Sequence, residues 1–419
     1  MAAKDPASYK VIEITSNDGN NTVDLRLGVV SFEFFQNILS PVVTAKMRVS
    51  LTGNVINDQG VYNGLPLRGG EKVRIKIIEQ VKNRSGLDMD LFVTSISDVI
   101  SSSQRESFLL TLSSREAITN EISSVSKKYI GTIKQSVTSI LTEILGISKN
   151  KIDIDPTQNK YSFIGNLKKP FKTLTWLATK AVPEESQNNS SSGFVFFQTK
   201  SGFKFKSIIN LINQKPKSKF VYSQVQYNTS TFKPTPDLPS LDLKMLNYKI
   251  DKNQDIIRKL RLGAYSSSRF FFNPNDFSVT GQVFKSKSKT TLGGKKIEDI
   301  LPEDIVTQPS RTFTQVLDVG TIEPNVSKEE NADPKKYLSQ SVSGYNILTT
   351  QKVEISVPCN TDLDAGDVID CVFFKNSLKE KNVKDEEISG KYLIQSIVHH
   401  FDPEKSVSSM TLARDTFGR

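Results

Sequence analysis

The chain has little of what catalytic and metal-bearing proteins are usually built from. Of its 419 residues two are cysteine, Cys359 and Cys371, and two are histidine, the adjacent His399 and His400. Without a Cys-x-x-Cys or a Cys/His cluster, neither a disulfide framework nor a structural zinc site is expected. The two thiols read as small buried hydrophobes. Successive residues of a strand face opposite sides, so the histidines cannot converge on one metal or substrate; one should face a core and the other water. No Gly-x-Ser-x-Gly or His-Glu-x-x-His occurs, and Gly293-Gly294-Lys295-Lys296 lacks the strand and first glycine of a phosphate loop. No apolar run is long enough to cross a bilayer, and Met1 to Pro6 has no signal-peptide core. No membrane anchor is expected, and assembly in a reducing, cytosol-like compartment is.

Carboxylates are more plentiful, but they form no recognisable site. Asp362, Asp364, Asp367 and Asp370 are clustered, yet the glycine and closing glutamate of a calcium loop are missing. Asp364-Ala365-Gly366-Asp367 reads instead as a turn with Gly366 at positive φ and its acids in solvent. Glu184-Glu185 and Asp385-Glu386-Glu387 have no apolar surround to raise a carboxylate pKa. No catalytic, cofactor-binding or metal-binding residue is expected. The net charge of +10 is a weak hint of an anionic partner. Its lysines, as in Lys215-Pro216-Lys217-Ser218-Lys219 and Lys285-Ser286-Lys287-Ser288-Lys289, are broken by Ser and Pro in the manner of solvated loops, with no aromatic ladder for single-stranded nucleic acid.

What the chain does have is a repeat. Leu67-Arg68-Gly69-Gly70-Glu71-Lys72-Val73 matches Leu363-Asp364-Ala365-Gly366-Asp367-Val368-Ile369 in character, position for position. Each copy leads to an apolar stretch, Leu91 to Ile96 in the first and Tyr392 to Ile397 in the second, and then to Leu110 to Glu116 or Met410 to Asp415. The intervals are similar: Gly70 to Ser95 against Gly366 to Ser396, and Ser95 to Thr111 against Ser396 to Thr411. Three matches in order at near-constant spacing point to a duplicated β unit, with Gly70, Glu71, Gly366 and Asp367 as its structural turns. Two similar units per chain let a threefold assembly imitate sixfold symmetry.

Along the chain, residues 1–117 alternate with period two and predict a first antiparallel β-barrel; Val43, Ala45, Met47, Val49 and Leu51, for example, share one face. Residues 118–235 predict an α+β insert. Ile133, Val137, Ile140, Leu141, Ile144 and Leu145 build a helix face that stops at Gly146, and a second helix opens at Pro170 and ends before Pro183. Phe194 to Phe205 reads as a hairpin, preceded by a flexible connector at Ser190-Ser191-Ser192-Gly193; Pro234, Pro236 and Pro239 mark the exit. Residues 236–284 read as a mixed segment contributing strands to a second barrel, 285–340 as a polar arm or loop layer, and 341–419 as the second barrel. The fold class expected is mainly β: two similar antiparallel barrels, a mixed insert and a polar arm. Phe194 to Phe197 and Phe270-Phe271-Phe272 read as core or as subunit interface.

The order of parts resembles the central baseplate hub protein of contractile-tailed (T-even-type) bacteriophages, and is similar to the hub portion of type VI secretion spike proteins. The residues that carry the likeness are Pro170 to Leu177, Gly193 to Phe197, Gly390 to Phe401 and Thr411 to Asp415. The resemblance implies a non-enzymatic virion protein in the tail baseplate, assembled in the host cytoplasm, with no cofactor. Three copies would form a pseudo-sixfold ring joining a trimeric spike to the hexameric tail tube or its initiator. Baseplate wedge proteins would be further partners, and DNA would be only cargo passing through the channel. The competing readings are a host-surface or carbohydrate-binding tail protein and a tail-associated peptidoglycan hydrolase.

Overall fold

Period-two alternation builds the N-terminal quarter into seven strands: β1 (Ser8–Thr15), β2 (Thr22–Asp24), β3 (Val29–Asn37), β4 (Thr44–Thr52), β5 (Lys72–Ile78), β6 (Leu87–Ser101) and β7 (Arg105–Ser113). A computed structural model of the chain describes residues 6–52, 59–79, 84–102, 105–184, 193–222, 243–252, 254–286, 292–319, 331, 334–375 and 383–418. The seven strands are hydrogen-bonded in the order β3-β4-β7-β6-β5-β1-β2, and their inward residues share one core. Phe32 and Phe34, Ala45, Met47 and Val49, Val73, Ile75 and Ile77, and Phe108, Leu110 and Leu112 are all buried there. Each large side chain so buried contributes about 1.5–3 kcal/mol.

Residues 115–212 form the insert around a second core. Helix Ile133–Ser139 starts at a capping box between Thr132 and Gln135, and runs on as a π-helical turn, Ile140–Ile144, before Gly146 at φ +68. Helix Pro170–Lys180 carries Pro170 in its first turn, where the missing N–H costs nothing. Two strand pairs complete the unit: β8 (Lys128–Tyr129) with β10 (Phe163–Ile164), and hairpin β11 (Phe194–Thr199)–β12 (Gly202–Ser207), which takes β9 (Ile152–Ile154) in parallel on its other edge. Every residue of β11 is buried because its two faces serve different cores. Phe194 and Phe196 enter the insert's core, while Val195 and Phe197 enter that of the second half.

The second half collects strands from distant parts of the chain. β13 (Ser218–Val221) and β14 (Asn247–Lys252) join β18 (Gln351–Pro358), β19 (Val368–Val372), β20 (Gly390–Phe401) and β21 (Ser406–Arg414) in the order β14-β18-β21-β20-β19-β13. Thus β13 leaves the 118–235 stretch to pair with β19, and β14 supplies a strand from 236–284. The remainder of that mixed segment, β15 (Ser266–Phe272) and β16 (Val279–Lys285), makes a separate three-stranded sheet with β17 (Thr312–Val316). In the stretch read as a polar arm the structure places β17, helix Glu303–Thr307 and the start of helix Pro334–Leu348. Its few apolar anchors, Leu292, Ile297, Val306 and Leu317, are buried but irregularly spaced, which explains the missing periodicity. The Ser190 to Ser192 connector and the Pro234, Pro236 and Pro239 cluster lie outside the described residues. No helix among the described residues is long and apolar enough to cross a membrane.

The fold is therefore mainly antiparallel β, with two similar β halves, an α+β insert and a satellite sheet. The halves are joined edge to edge through β20 and β3, so one 13-stranded sheet runs through both. Because Phe197 fills the second core from a strand belonging to the insert, Phe197→Ala should lower unfolding stability by about 3–5 kcal/mol. Urea denaturation followed by fluorescence of Trp176, in the insert, checks this, and an unchanged midpoint would contradict the packing described.

Candidate functional site

The matched heptapeptides are built alike. Gly70 and Gly366 have φ +93 and +90, a region that penalises any side chain. Gly70 N donates to Val93 O at 2.7 Å and Val93 N donates to Glu71 O at 2.9 Å; Gly366 N donates to Ile394 O at 2.8 Å and Ile394 N to Asp367 O at 2.8 Å. In each turn the acid after the glycine folds its carboxylate back onto the N–H three residues earlier: Glu71 accepts from Arg68 N at 2.7 Å, Asp367 from Asp364 N at 2.8 Å. The acids are consequently buried, contrary to the expectation that the second turn's carboxylates sit in solvent. Glu71, Asp364 and Asp367 are 1%, 4% and 3% exposed. Satisfied backbone donors, with Lys217 Nζ 2.8 Å from Asp367, offset the desolvation. Burial raises the pKa of Asp364, whose Oδ1 accepts from Gln36.

The correspondence continues through the ladders. Val93 pairs with Leu112, a bulge follows, and Ser95 pairs with Thr111; Ile394 pairs with Leu412, a bulge follows, and Ser396 pairs with Thr411. β18 lies against β21 as β4 lies against β7, and β14 lies against β18 as β3 lies against β4. Through those pairings Ile355 stands where Met47 does, Tyr248 where Phe32 does, Lys249 where Glu33 does and Ile250 where Phe34 does. Two copies of one five-stranded pattern, β5-β6-β7-β4-β3 and β19-β20-β21-β18-β14, are therefore present.

The copies meet where β20 changes partner. Residues 390–393 of β20 bond to β19, whereas residues 396–401 bond to β3 on the same edge, with Ser396 opposite Asn37 and Phe401 opposite Phe32. Side chains cross the seam. Phe401 and Cys359 belong to the first core and Ile38 to the second, while Phe34 stacks on His399 with ring centroids 6.4 Å apart. Gln36 reaches across to Asp364 at 3.0 Å, and Glu79, itself paired with Arg84 at 2.8 Å, accepts from Thr361 N at 2.5 Å. Arg84 also donates to Cys359 O, Ser85 to Asp362 at 2.7 Å, and Lys200 of the insert to Thr361 O. Truncating one member would leave its buried partner unpaired, so the seam is a rigid joint.

Of the other sequence-flagged groups, His399 is buried with Nδ1 2.9 Å from Ser408 Oγ, and burial pushes its pKa down to about 3, so its ring is neutral. His400 lies on the opposite face, 3.2 Å from both Glu33 and Asp402. Cys359 and Cys371 are free and buried, which raises both thiol pKa values. Among the described residues no group of three or more His, Cys, Asp or Glu is placed to hold a metal ion. A cleft of about 230 Å³ beside Gly366 carries Asp153, Lys204, Lys206 and Asp367 in its lining; of these, Lys206 is paired with Asp153 and Asp155, and Asp367 with Lys217. Gln36, Glu79, Arg84 and Lys200 carry no local signal, since their partners are distant in sequence; only the repeat points to their neighbourhood.

No family model and no curated protein matches the chain. Solved structures do. A tail protein from Neisseria meningitidis MC58 is similar over 97% of this chain and 96% of its own, with a TM-score of 0.55 at 10% identity. The 43 kDa tail protein of prophage MuSo2 from Shewanella oneidensis covers 97% and 98%, with a TM-score of 0.54 at 8% identity. The prophage tail protein gp18 from Listeria monocytogenes EGD-e covers 96% and 94% at a TM-score of 0.48 and 10% identity. At such identities the first two likenesses establish a shared fold from end to end.

A Cβ at Gly70 would meet only the Asn17 side chain, at 3.2 Å, whereas at Gly366 it would lie 2.9 Å from the buried Phe197 ring. Both Gly→Ala variants should lose roughly 1–3 kcal/mol to backbone strain, and Gly366→Ala more than Gly70→Ala; equal thermal midpoints for wild type and both variants would contradict this. The depressed pKa of His399 means that the unfolded chain binds the extra proton between pH 6.5 and about 3. Its contribution to stability is present above pH 6.5 and is lost as pH falls. Buried Asp415, raised to about 6, works in the opposite sense, so the difference between proteins is the clean measure. The stability of His399→Gln relative to wild type should rise by about 1.4 kcal/mol per pH unit on acidification through that window; a pH-independent difference would refute the assignment.

Proposed function

We propose that this protein is a structural component of a contractile phage tail, the central hub of its baseplate. Three copies form a ring of six near-equivalent β halves that joins the hexameric tail tube, or its initiator, to a trimeric spike. The observation that carries this reading is the repeated turn and bulge, present in both halves of one continuous sheet. A threefold ring must present six similar surfaces to a sixfold partner, and duplication within the chain supplies them without six identical subunits. The end-to-end likeness to two tail proteins supports a place in the virion tail.

The chemistry is that of a joint. At the seam Gln36 is engaged by Asp364, and Glu79 by Arg84 and the Thr361 amide, and the neutral, enclosed His399 has no access to a substrate. The satellite sheet bears Phe270, Val279, Val283 and Val316, all exposed, with Phe277 beside them; that apolar surface suits a contact with spike or wedge proteins. DNA passes through the ring as cargo, and no cofactor takes part.

Light scattering after size exclusion on the purified chain should give three times the chain mass. Adding tube protein should give rings with sixfold features on the tube side and threefold features on the other in negative-stain averages. A strictly monomeric chain that neither joins tube protein nor forms rings would overturn the reading, and hydrolysis of peptidoglycan by such a monomer would favour the enzyme.

A further inference from the structure

The satellite sheet encloses a cation that no described residue answers. Side chains of β15 alternate, so Ser268, Phe270 and Phe272 share its outer face while Ser267, Arg269 and Phe271 point inward. Phe271 suits an enclosed position; the two polar residues beside it do not. Ser267 and Arg269 are fully buried, and among the described residues Ser267 Oγ and Arg269 Nε, Nη1 and Nη2 have no hydrogen-bond partner. The other fully buried arginine is treated differently: Arg414 donates from Nη1 to Ser389 O at 3.1 Å and from Nη2 to Gln351 and Glu387 O. Arg269 instead lies over aromatic rings, its Cζ 4.4 Å from the centroid of Phe313 and 5.9 Å from that of Phe284. Burial lowers its pKa to about 10, which leaves it charged at neutral pH. Ring contacts recover only part of the hydration that a buried ion loses, so the guanidinium lacks an oxygen acceptor.

Its surroundings say which acceptor. Arg311 stacks on the same Phe313 ring, 5.0 Å from the centroid, and gives Nη1 to Arg261 O at 2.8 Å. Gly263 brings these groups together by packing bare backbone against them: a Cβ there would lie 3.0 Å from Phe313 and 3.2 Å from both Arg311 and Ser267. Two guanidinium groups and a hydroxyl thus gather with no carboxylate bonded to any of them among the described residues. With a ring over its face, the Arg269 guanidinium keeps its N–H edges for a ligand, and a planar carboxylate matches two of those N–H groups at once.

We infer that Ser267 and Arg269, with Arg311 beside them, form a carboxylate-binding site on the inner face of the satellite sheet. The carboxylate is one brought to the chain, on a small acid or on an aspartate or glutamate of a neighbouring protein. The rings that cover the site sit on β16 and β17, which among the described residues pair with β15 along one side only. Phe284 and Phe313 can therefore part while β15 keeps its place. The site is independent of the ring proposed above, because it asks nothing of the two β halves.

Equilibrium dialysis of the full chain against radiolabelled acetate, at neutral pH and constant ionic strength in chloride, should show a single saturable site. Ser267→Ala, which keeps the charge, should bind about five- to tenfold more weakly. Arg269→Lys, which keeps a charge but loses the paired N–H edge, should bind about tenfold more weakly, and Arg269→Met not at all. Bound acetate should raise the thermal midpoint of the wild type and leave that of Arg269→Met unchanged. N-acetylaspartate amide separates the two sources: tighter binding than acetate identifies a protein side chain as the ligand, and weaker binding a free acid. Saturable binding of neither probe, or binding of equal strength by wild type and all three variants, overturns the inference. Saturable binding of inorganic phosphate without that of acetate overturns it too. A trimer by light scattering is expected whichever way the dialysis falls, so failure here leaves the hub reading standing.

Discussion

One strand holds the molecule together. β20 spends its first residues on β19 and its last on β3, along a single edge, and in doing so turns two separately wrapped sheets into one. That division is possible because β19 is short. Its ladder ends at Val368, opposite Leu393, and the turn at Gly366 and Asp367 then carries the chain away from β20. The positive φ of Gly366 is what makes the departure sharp enough, and the carboxylate folded under the turn satisfies the amides that the departure exposes. Without the turn, β19 would run on beside β20 and occupy the edge that β3 needs.

The same geometry explains why polar groups gather at the seam. A strand that leaves its neighbour strands backbone donors and acceptors in a place that is already dry. Gln36, Glu79 and Arg84 from the first half and Asp364 with the Thr361 backbone from the second meet those demands, and Lys200 brings the insert into the same network. Gln198, which accepts from Val43 N and Ser114 Oγ, ties the insert to the first half as well. The insert is thereby a brace across both halves, and β11, with one face in each of two cores, is its main beam.

Much of this was legible in the residues. Alternation in β3 and β4, the helical spacing from Ile133 to Ile144, Pro170 at a helix start and Gly146 at a stop are local signals, because side-chain direction follows backbone period within a few residues. The two turns were legible too, through a glycine followed by an acid ahead of an apolar strand. Their electrostatics were not. An acidic turn reads as a solvated one unless it is known that another element closes over it, and here Gln36, 328 positions from Asp364, does so. Nor was it apparent that β13 would leave the insert, since a four-residue strand bears no mark of which sheet will accept it.

The β character of the chain, its duplication, the turns that punctuate each copy and the presence of a mixed insert follow from short-range periodicity and backbone preference, and are written in the residues. Which strands share an edge, which acids are enclosed, and where the two copies join emerge first in the folded chain. Those outcomes depend on contacts between residues hundreds of positions apart, whose energies come from shared burial and mutual hydrogen bonding. No window of sequence contains both partners of such a contact.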